Sequence, residues 1–354
     1  CLVAEVVLSY CPPTNMLCLC NDGHYNQRVT ECVLSNCTIR EGLTTQKTLF
    51  TSCGTPQRSR RAILKATSLA GLLVSFTSLA LRLAARSPFC NGQLGMDDLT
   101  IVLAWLHLSD HSLSGHSLVL IWVRHLAGHD GFGNEIWTIR FNGITTILKK
   151  FWAVEKLYIF TIWLTKMSLL IFYLRIFPDR KFRRRTYSVL ALCCVTVVAL
   201  VLACVFECQP ISYAWDRWDG EHEGTCTHIN AQGWANAGIN IIFDIIIIAL
   251  PLPQIYRLQI SRERKIGIMI MFTLGVFVTI ASIIRLRSLI TFAASINPTY
   301  DYVDVTLWSL FEIVVGIVMA CLPGNRALIR FLWAERVKHF SQSNETSGVS
   351  KASV

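Results

Sequence analysis

KLYIFTIWLTKMSLLIFYLRIFPDRKFRRR, from Lys156 to Arg185, opens with about twenty mostly apolar residues, Leu157 to Phe177. A helix of that length crosses a hydrocarbon layer of roughly 30 Å. Lys166 stands near its middle, where a charge is tolerated only inside a bundle or beside water. Beyond Pro178 the cations Arg180, Lys181, Arg183, Arg184 and Arg185 crowd together, the mark of a segment left on the cytoplasmic side. This one stretch predicts a membrane protein, an orientation, and a buried ionisable group in need of a partner.

Composition extends the reading. Of 354 residues, 53% are hydrophobic and 16% charged, against about 25% charged in soluble domains. The net charge of +10 follows from basic loops facing the cytoplasm, so the lipid bilayer is the expected partner and nucleic acid is not. No Gly-x-Ser-x-Gly, His-Glu-x-x-His or phosphate-binding loop is present. The chain is therefore read as a non-enzyme with no catalytic residues.

Cys1, Cys11, Cys18, Cys20, Cys32, Cys37 and Cys53 are half of the fourteen cysteines. They mark residues 1–57 as an extracellular, disulfide-stapled head whose core is too small to stand alone. Their number is odd, so one is unpaired or its partner is missing. His24 is the only histidine here, which disfavours a zinc module. The chain begins at Cys1 without Met or an apolar leader, so a signal segment is expected to have been removed or left out. Asn36-Cys37-Thr38 is a glycosylation sequon.

Residues 58–333 read as seven spans: about 62–85, 99–123 with a polar interruption at 109–117, 157–177, 187–206, 231–250, 266–286 and 303–322. Arg82 and Arg86 end the first span, where they can snorkel. Asp97 and Asp98 follow across a short loop and are expected to clamp them. The interruption holds Asp110, His111 and His116. It reads as a polar site or as a local insertion, the insertion favoured because its flanks join into one helix. His107, His111, His116, His125 and His129 cluster there, and no metal site is assigned. Residues 124–156 read as a loop with a short approach helix. A Cys208–Cys226 disulfide is expected to cross the next outer loop. Arg326, Arg330, Trp333, Arg336 and Lys338 suggest an amphipathic helix along the membrane, and 334–354 a disordered cytoplasmic tail.

Seven spans put the two ends on opposite sides. With the head outside, the inner segments 86–98, 178–186, 254–265 and 324–354 hold fifteen Lys and Arg, and the outer loops 124–156, 208–230 and 288–304 hold six. That bias places the C-terminus in the cytoplasm. Arg58, Arg60, Arg61 and Lys65 run against it. The inner segments 178–186 and 254–265, the latter with Arg262, Arg264 and Lys265, are the expected docking loops for a cytoplasmic partner.

Lys166, Asp244 and Glu312 are charges expected at mid-depth, with Arg285 nearer the outer edge. Asn240 lies four residues before Asp244, and Trp308 four before Glu312, so each pair shares a helix face. Lys166–Asp244 and Lys166–Glu312 are the candidate pairs. They read either as a ligand pocket or two-state switch, or as a strut fixing helix packing.

The cysteine spacing of the head, with Cys18-Leu19-Cys20 at its centre, resembles the CFEM domain of fungal extracellular membrane proteins across nearly all of residues 1–53. The resemblance implies a small helical fold with eight cysteines, the first expected just before residue 1. Some CFEM domains hold haem through an aspartate just ahead of the Cys-x-Cys. The matching residue here is Asn15, a poor ligand for ferric iron, so no cofactor is assigned.

The spans resemble the fungal rhodopsin-domain family of seven-helix receptor-like proteins. The matching pieces are Arg82-Leu83-Ala84-Ala85-Arg86, Asp97-Asp98, Gly131-Phe132-Gly133, Lys166-x-Ser168 and Tyr173-Leu174-Arg175-Ile176-Phe177. Then come Cys208-x-Pro210, Asn240-x-x-x-Asp244, Pro251-x-Pro253, Ser282-x-x-Arg285 and Trp308-x-x-x-Glu312. Their order spans residues 62–333. The resemblance implies an all-α, multi-pass plasma-membrane protein that senses surface or chemical cues and signals to a heterotrimeric G protein, its extracellular ligand unknown. Retinal is not expected, because 303–322 holds no lysine for a Schiff base. Two other readings stand beside it: a transporter or channel lined by Lys166, Asp244 and Glu312, and haem or iron capture by the head.

Overall fold

The computed structural model describes residues 1–87, 94–109, 131–257, 262–291 and 295–349. Four short helices build the head: α1 (Leu2–Val6), α2 (Met16–Asn21), α3 (Gly23–Asn36) and α4 (Ile39–Ser52). Their starts are written in capping residues. Asp22 accepts from the backbone N–H of His24 and Tyr25, and Thr38 with Glu41 forms a reciprocal capping box on α4. The head core is little more than Cys11, Leu19, Tyr25 and Val29. Cys1–Cys32, Cys11–Cys18 and Cys20–Cys53 staple it. Cys37 is the odd cysteine that the count of seven called for, unpaired and half-buried.

The membrane helices are α5 (Arg61–Arg86), α6 (Met96–Ser109), α7 (Phe141–Ile176), α8 (Arg180–Val205), α9 (Ile229–Ala249), with the short α10 (Leu252–Arg257) after it, α11 (Arg262–Thr291) and α12 (Pro298–Val349). Among the described residues, six helices are long and apolar enough to cross a membrane. α6 packs on α7. The interruption at 109–117 and the histidines beyond it lie outside the described residues.

Two-thirds of the apolar window of α7 is buried, against 17% for α8. α7 is therefore the central post, with α6, α8 and α12 against it, and α12 continues the contact to α5 and α11. Trp163, fully buried, meets Phe243 of α9 edge-on at 4.7 Å.

Three expectations are corrected. The loop predicted over 124–156 is helical from Phe141. At 1.5 Å per residue α7 is about 54 Å long, well beyond the roughly 30 Å of hydrocarbon, and its surplus on the head side forms a docking post. On the opposite side, the basic run is no loop: Arg180 to Arg185 form the first turns of α8. Cations are unfavourable at a helix N-terminus. Asp179 offsets them, accepting from the Phe182 N–H at 3.0 Å, a bond that holds its carboxyl below the usual range. Finally, α12 runs on as one helix to Val349, where a disordered tail was expected.

Gly131 and Gly133 have φ of +95° and +94°, a region that only glycine enters freely. Between them Phe132 is buried against Phe151. The Gly133 N–H donates to the Thr299 carbonyl, and its own carbonyl accepts from the Arg60 N–H at 2.8 Å. A Cβ at Gly133 would stand 3.2 Å from the Arg61 nitrogen. Gly133→Ala is expected to cost about 1–3 kcal/mol, read as a lower melting temperature of the full chain. Gly23→Ala, where nothing lies within 4 Å of the new Cβ, is the control.

Candidate functional site

Three polar layers stack through the molecule. The middle one joins α7, α9, α11 and α12. Lys166 (α7) pairs with Asp244 (α9) and also donates to the Asn240 carbonyl at 3.3 Å. Glu312 (α12), fully buried, accepts from the Tyr158 hydroxyl at 2.7 Å, the Asn240 amide at 2.6 Å and the Ser282 hydroxyl at 2.5 Å. Arg285 (α11) lies 3.3 Å from the same carboxylate, with its guanidinium 4.9 Å from the Tyr158 ring centre. Two cations face two anions, so the layer is neutral, as a low-dielectric interior demands.

Of the two pairs read from the sequence, Lys166–Asp244 forms. Glu312 is held by Arg285 rather than Lys166, and Trp308 packs on Phe311 outside the layer. Tyr158 was missed, because one hydroxyl on an aromatic body reads as apolar; its place about two turns from Lys166 was the available signal.

The layer is not fully satisfied. Ser282 Oγ lies within reach of three acceptors: Glu312, Asp244 at 3.5 Å and the Val278 carbonyl at 3.1 Å. A hydroxyl has one proton, so it bonds only one of them well. The Arg285 Nε and Nη2 and the Asn240 Oδ1 have no hydrogen-bond partner among the described residues. In a low-dielectric interior each unpaired polar group of such a network is costly.

The second layer closes the end away from the head. Arg82 Nη2 donates to Asp97 at 2.7 Å, its Nε to Asp98 at 2.7 Å, and its Nη1 to the Ala320 carbonyl. Arg86 bridges both aspartates at 3.0 and 3.1 Å. Arg175 reaches Asp97 at 3.3 Å, and Ser168 donates to the Asp97 carbonyl. The expected clamp thus forms, and it gathers α5, α6, α7 and α12. Arg82 does not snorkel: its side chain is fully buried. Beyond this layer, Arg180, Lys181, Arg183, Arg184 and Arg185 are exposed. The side chains of Arg262, Arg264 and Lys265 fall outside the described residues.

The third layer holds the head. Arg40 of α4 bonds Asp219 at 3.0 Å and Glu221 at 3.1 Å. Both acids sit on the loop closed by the Cys208–Cys226 disulfide and its two-stranded pairing. Phe50 stacks on Trp137 at 4.9 Å. Two of the four cations that opposed the charge bias are locally neutralised: Arg58 meets Glu135 at 3.1 Å and Arg60 grips Asp304 at 2.5 and 2.9 Å. Asn15 spends its side-chain oxygen on the Cys18 N–H at the start of α2. A neutral amide so engaged does not fit the role of a haem ligand.

His222 bonds Asp219 at 3.0 Å. That bond raises the His222 pKa. Burial would raise the Asp219 carboxyl, but its bonds to His222, the Glu221 N–H and Arg40 carry it below its usual value. Sign by sign, the histidine's contribution is complete below about pH 6.5 and is lost as pH rises through its raised pKa. The aspartate's is complete above about pH 4 and is lost as pH falls through its lowered one. Loop 208–226 is expected to be best protected from hydrogen exchange between those limits and to loosen outside them, with His222→Ala abolishing the upper limb.

The fungal rhodopsin domain matches residues 81–331, the greater part of the chain and all of the middle layer. The chain belongs to the fungal rhodopsin domain family. The CFEM domain matches residues 1–54, the head. A fungal rhodopsin-domain chain with a CFEM head is thus a membrane protein whose two parts are separately recognisable. A SAT4 family membrane protein of Emericella nidulans is 33% identical over 205 residues, 57% of this chain and 50% of that one. The Fugralins biosynthesis cluster protein 2 of Gibberella zeae is 24% identical over 204 residues, 54% and 49% of the two chains. The protein named Receptor GIN3 of Arthrobotrys oligospora is 23% identical over 257 residues, 71% and 59%. The chain spans about half the length of the first two relatives. No solved structure matches it significantly.

Proposed function

We propose that this fungal rhodopsin-domain protein is a non-enzymatic plasma-membrane receptor, head outside and C-terminus inside, that passes an extracellular cue to a cytoplasmic partner such as a heterotrimeric G protein. One observation carries the reading: a neutral, incompletely satisfied polar layer joins α7, α9, α11 and α12 at mid-bundle. Such a layer can exchange partners without exposing a charge to lipid, and the four helices would move with it. The exposed run Arg180–Arg185 supplies a basic surface for an acidic partner at the far end. The relative named as a receptor supports the class.

A transport path is less favoured, because α7, α9 and α11 pass the layer as continuous helices, whereas transport sites are typically built on broken ones. The test is second-messenger output in cells moved from suspension onto a solid surface. The expected result is a response that requires the protein and is lost in Arg183→Glu/Arg184→Glu at equal surface expression. A response identical in cells lacking the protein would end the receptor reading.

A further inference from the structure

A cavity of about 420 Å³ lies where the head meets the bundle. Its volume is in the range of small-ligand sites, roughly 300–1,000 Å³. Its walls come from α4, from the linker that turns at Gly54 (φ +60°), and from the segment just ahead of α7. Phe50 and Trp137, stacked face to face with interplanar angle 8°, supply flat apolar surface. Glu135 is 5% exposed and its charge is answered by Arg58. Lys47 is exposed at the edge, and its ammonium has no acidic partner among the described residues. The lining therefore carries one unanswered positive charge beside aromatic walls.

We infer that this cavity binds a small aromatic monoanion, its ring system against Phe50 and Trp137 and its acid group on Lys47. A neutral analogue would leave the ammonium without a counter-charge. A cation would be repelled by it, because Glu135 is already engaged. The occupant would touch head, linker and bundle at once, so it would favour the docked head by mass action. Arg58, on the cavity wall, also lies 5.2 Å from the ring centre of Tyr300 in the first turn of α12, the helix that carries Glu312. This deepens the receptor reading and rests on it for what occupancy would signal, but the binding itself does not.

The test is titration calorimetry on the full chain in nanodiscs with 1-naphthoate, 1-naphthamide and 1-naphthylmethylamine, and with empty nanodiscs as the blank. Naphthoate is expected to bind at least tenfold more tightly than the amide, and the amine not at all. Lys47→Gln, a surface change that leaves the fold alone, is expected to erase the difference between acid and amide. No binding above the blank, equal binding of acid and amide, or an unchanged preference in Lys47→Gln would overturn the site. Binding without any second-messenger response would leave the site and sink the receptor reading. A response to surface contact without naphthoate binding would do the reverse.

Discussion

Arg82→Ala is expected to be among the most damaging single substitutions in the chain. The side chain is fully buried, forks onto Asp97 and Asp98, and donates to the Ala320 carbonyl. Removing it leaves two carboxylates, each 2% exposed, with Arg86 and the more exposed Arg175 to answer them. Breaking a buried pair from one side costs about 3–5 kcal/mol, here for two buried carboxylates left with fewer cations than they need. For a chain of this size that is roughly 5 °C in melting temperature. The buried thiols Cys193, Cys204 and Cys321 provide the readout: a thiol-reactive fluorophore reports their exposure as the detergent-solubilised chain is heated. Arg82→Lys should recover only part of the loss, since an ammonium cannot reproduce the planar fork. A melting temperature within a degree or two of the parent would mean that the clamp does not hold α5 and α6 to α12.

Glu312→Ala should come close behind. Glu312 is fully buried and accepts from Tyr158, Asn240 and Ser282 while facing Arg285. Alanine strands the Arg285 cation and removes the shared acceptor of three donors. The expected cost is again about 3–5 kcal/mol. Glu312→Gln keeps the size but not the charge, and should fall between the two. The informative variant is the exchange Arg285→Glu/Glu312→Arg, which restores neutrality. If the pair matters chiefly through charge, the exchange should recover a substantial part of the stability lost in Glu312→Gln. If it melts no higher than either single variant, the hydrogen-bond geometry around Glu312 outweighs its charge.

Much of this architecture is legible in the residues. Apolar runs of membrane length announce the spans, the cysteine spacing announces the head, and Arg82 with Asp97 and Asp98 announces the clamp. What the sequence hides is partner choice at a distance. Lys166, Asp244, Arg285 and Glu312 are all visible as costly intramembrane charges. Which cation meets which anion, though, depends on helix rotation, which periodicity leaves loose. Segment ends were misread for a different reason. The basic run Arg180–Arg185 looked like a loop because charge argues for water, yet a helix emerging from the bilayer stays helical while Asp179 caps it. Residues 141–150 were read as a loop, ahead of a short approach helix around 151–155, because polar and apolar residues mix there. Arg58 and Arg60 seemed to contradict the charge bias until Glu135 and Asp304 were seen opposite them, 77 and 244 residues away in sequence.

We propose that the mid-bundle layer is a switch rather than a strut. Ser282 is the place to probe it, because its one proton is shared among competing acceptors while its loss should cost about 1.5–3 kcal/mol, less than that of Glu312. The measurement is hydrogen exchange of the full chain in nanodiscs, parent against Ser282→Ala, read at the start of α8 around Arg180–Arg185. A switch predicts altered exchange there, several turns from the substitution, with the melting temperature lowered by only a few degrees. Exchange altered only within a turn of residue 282, with the α8 end identical to the parent, would contradict it.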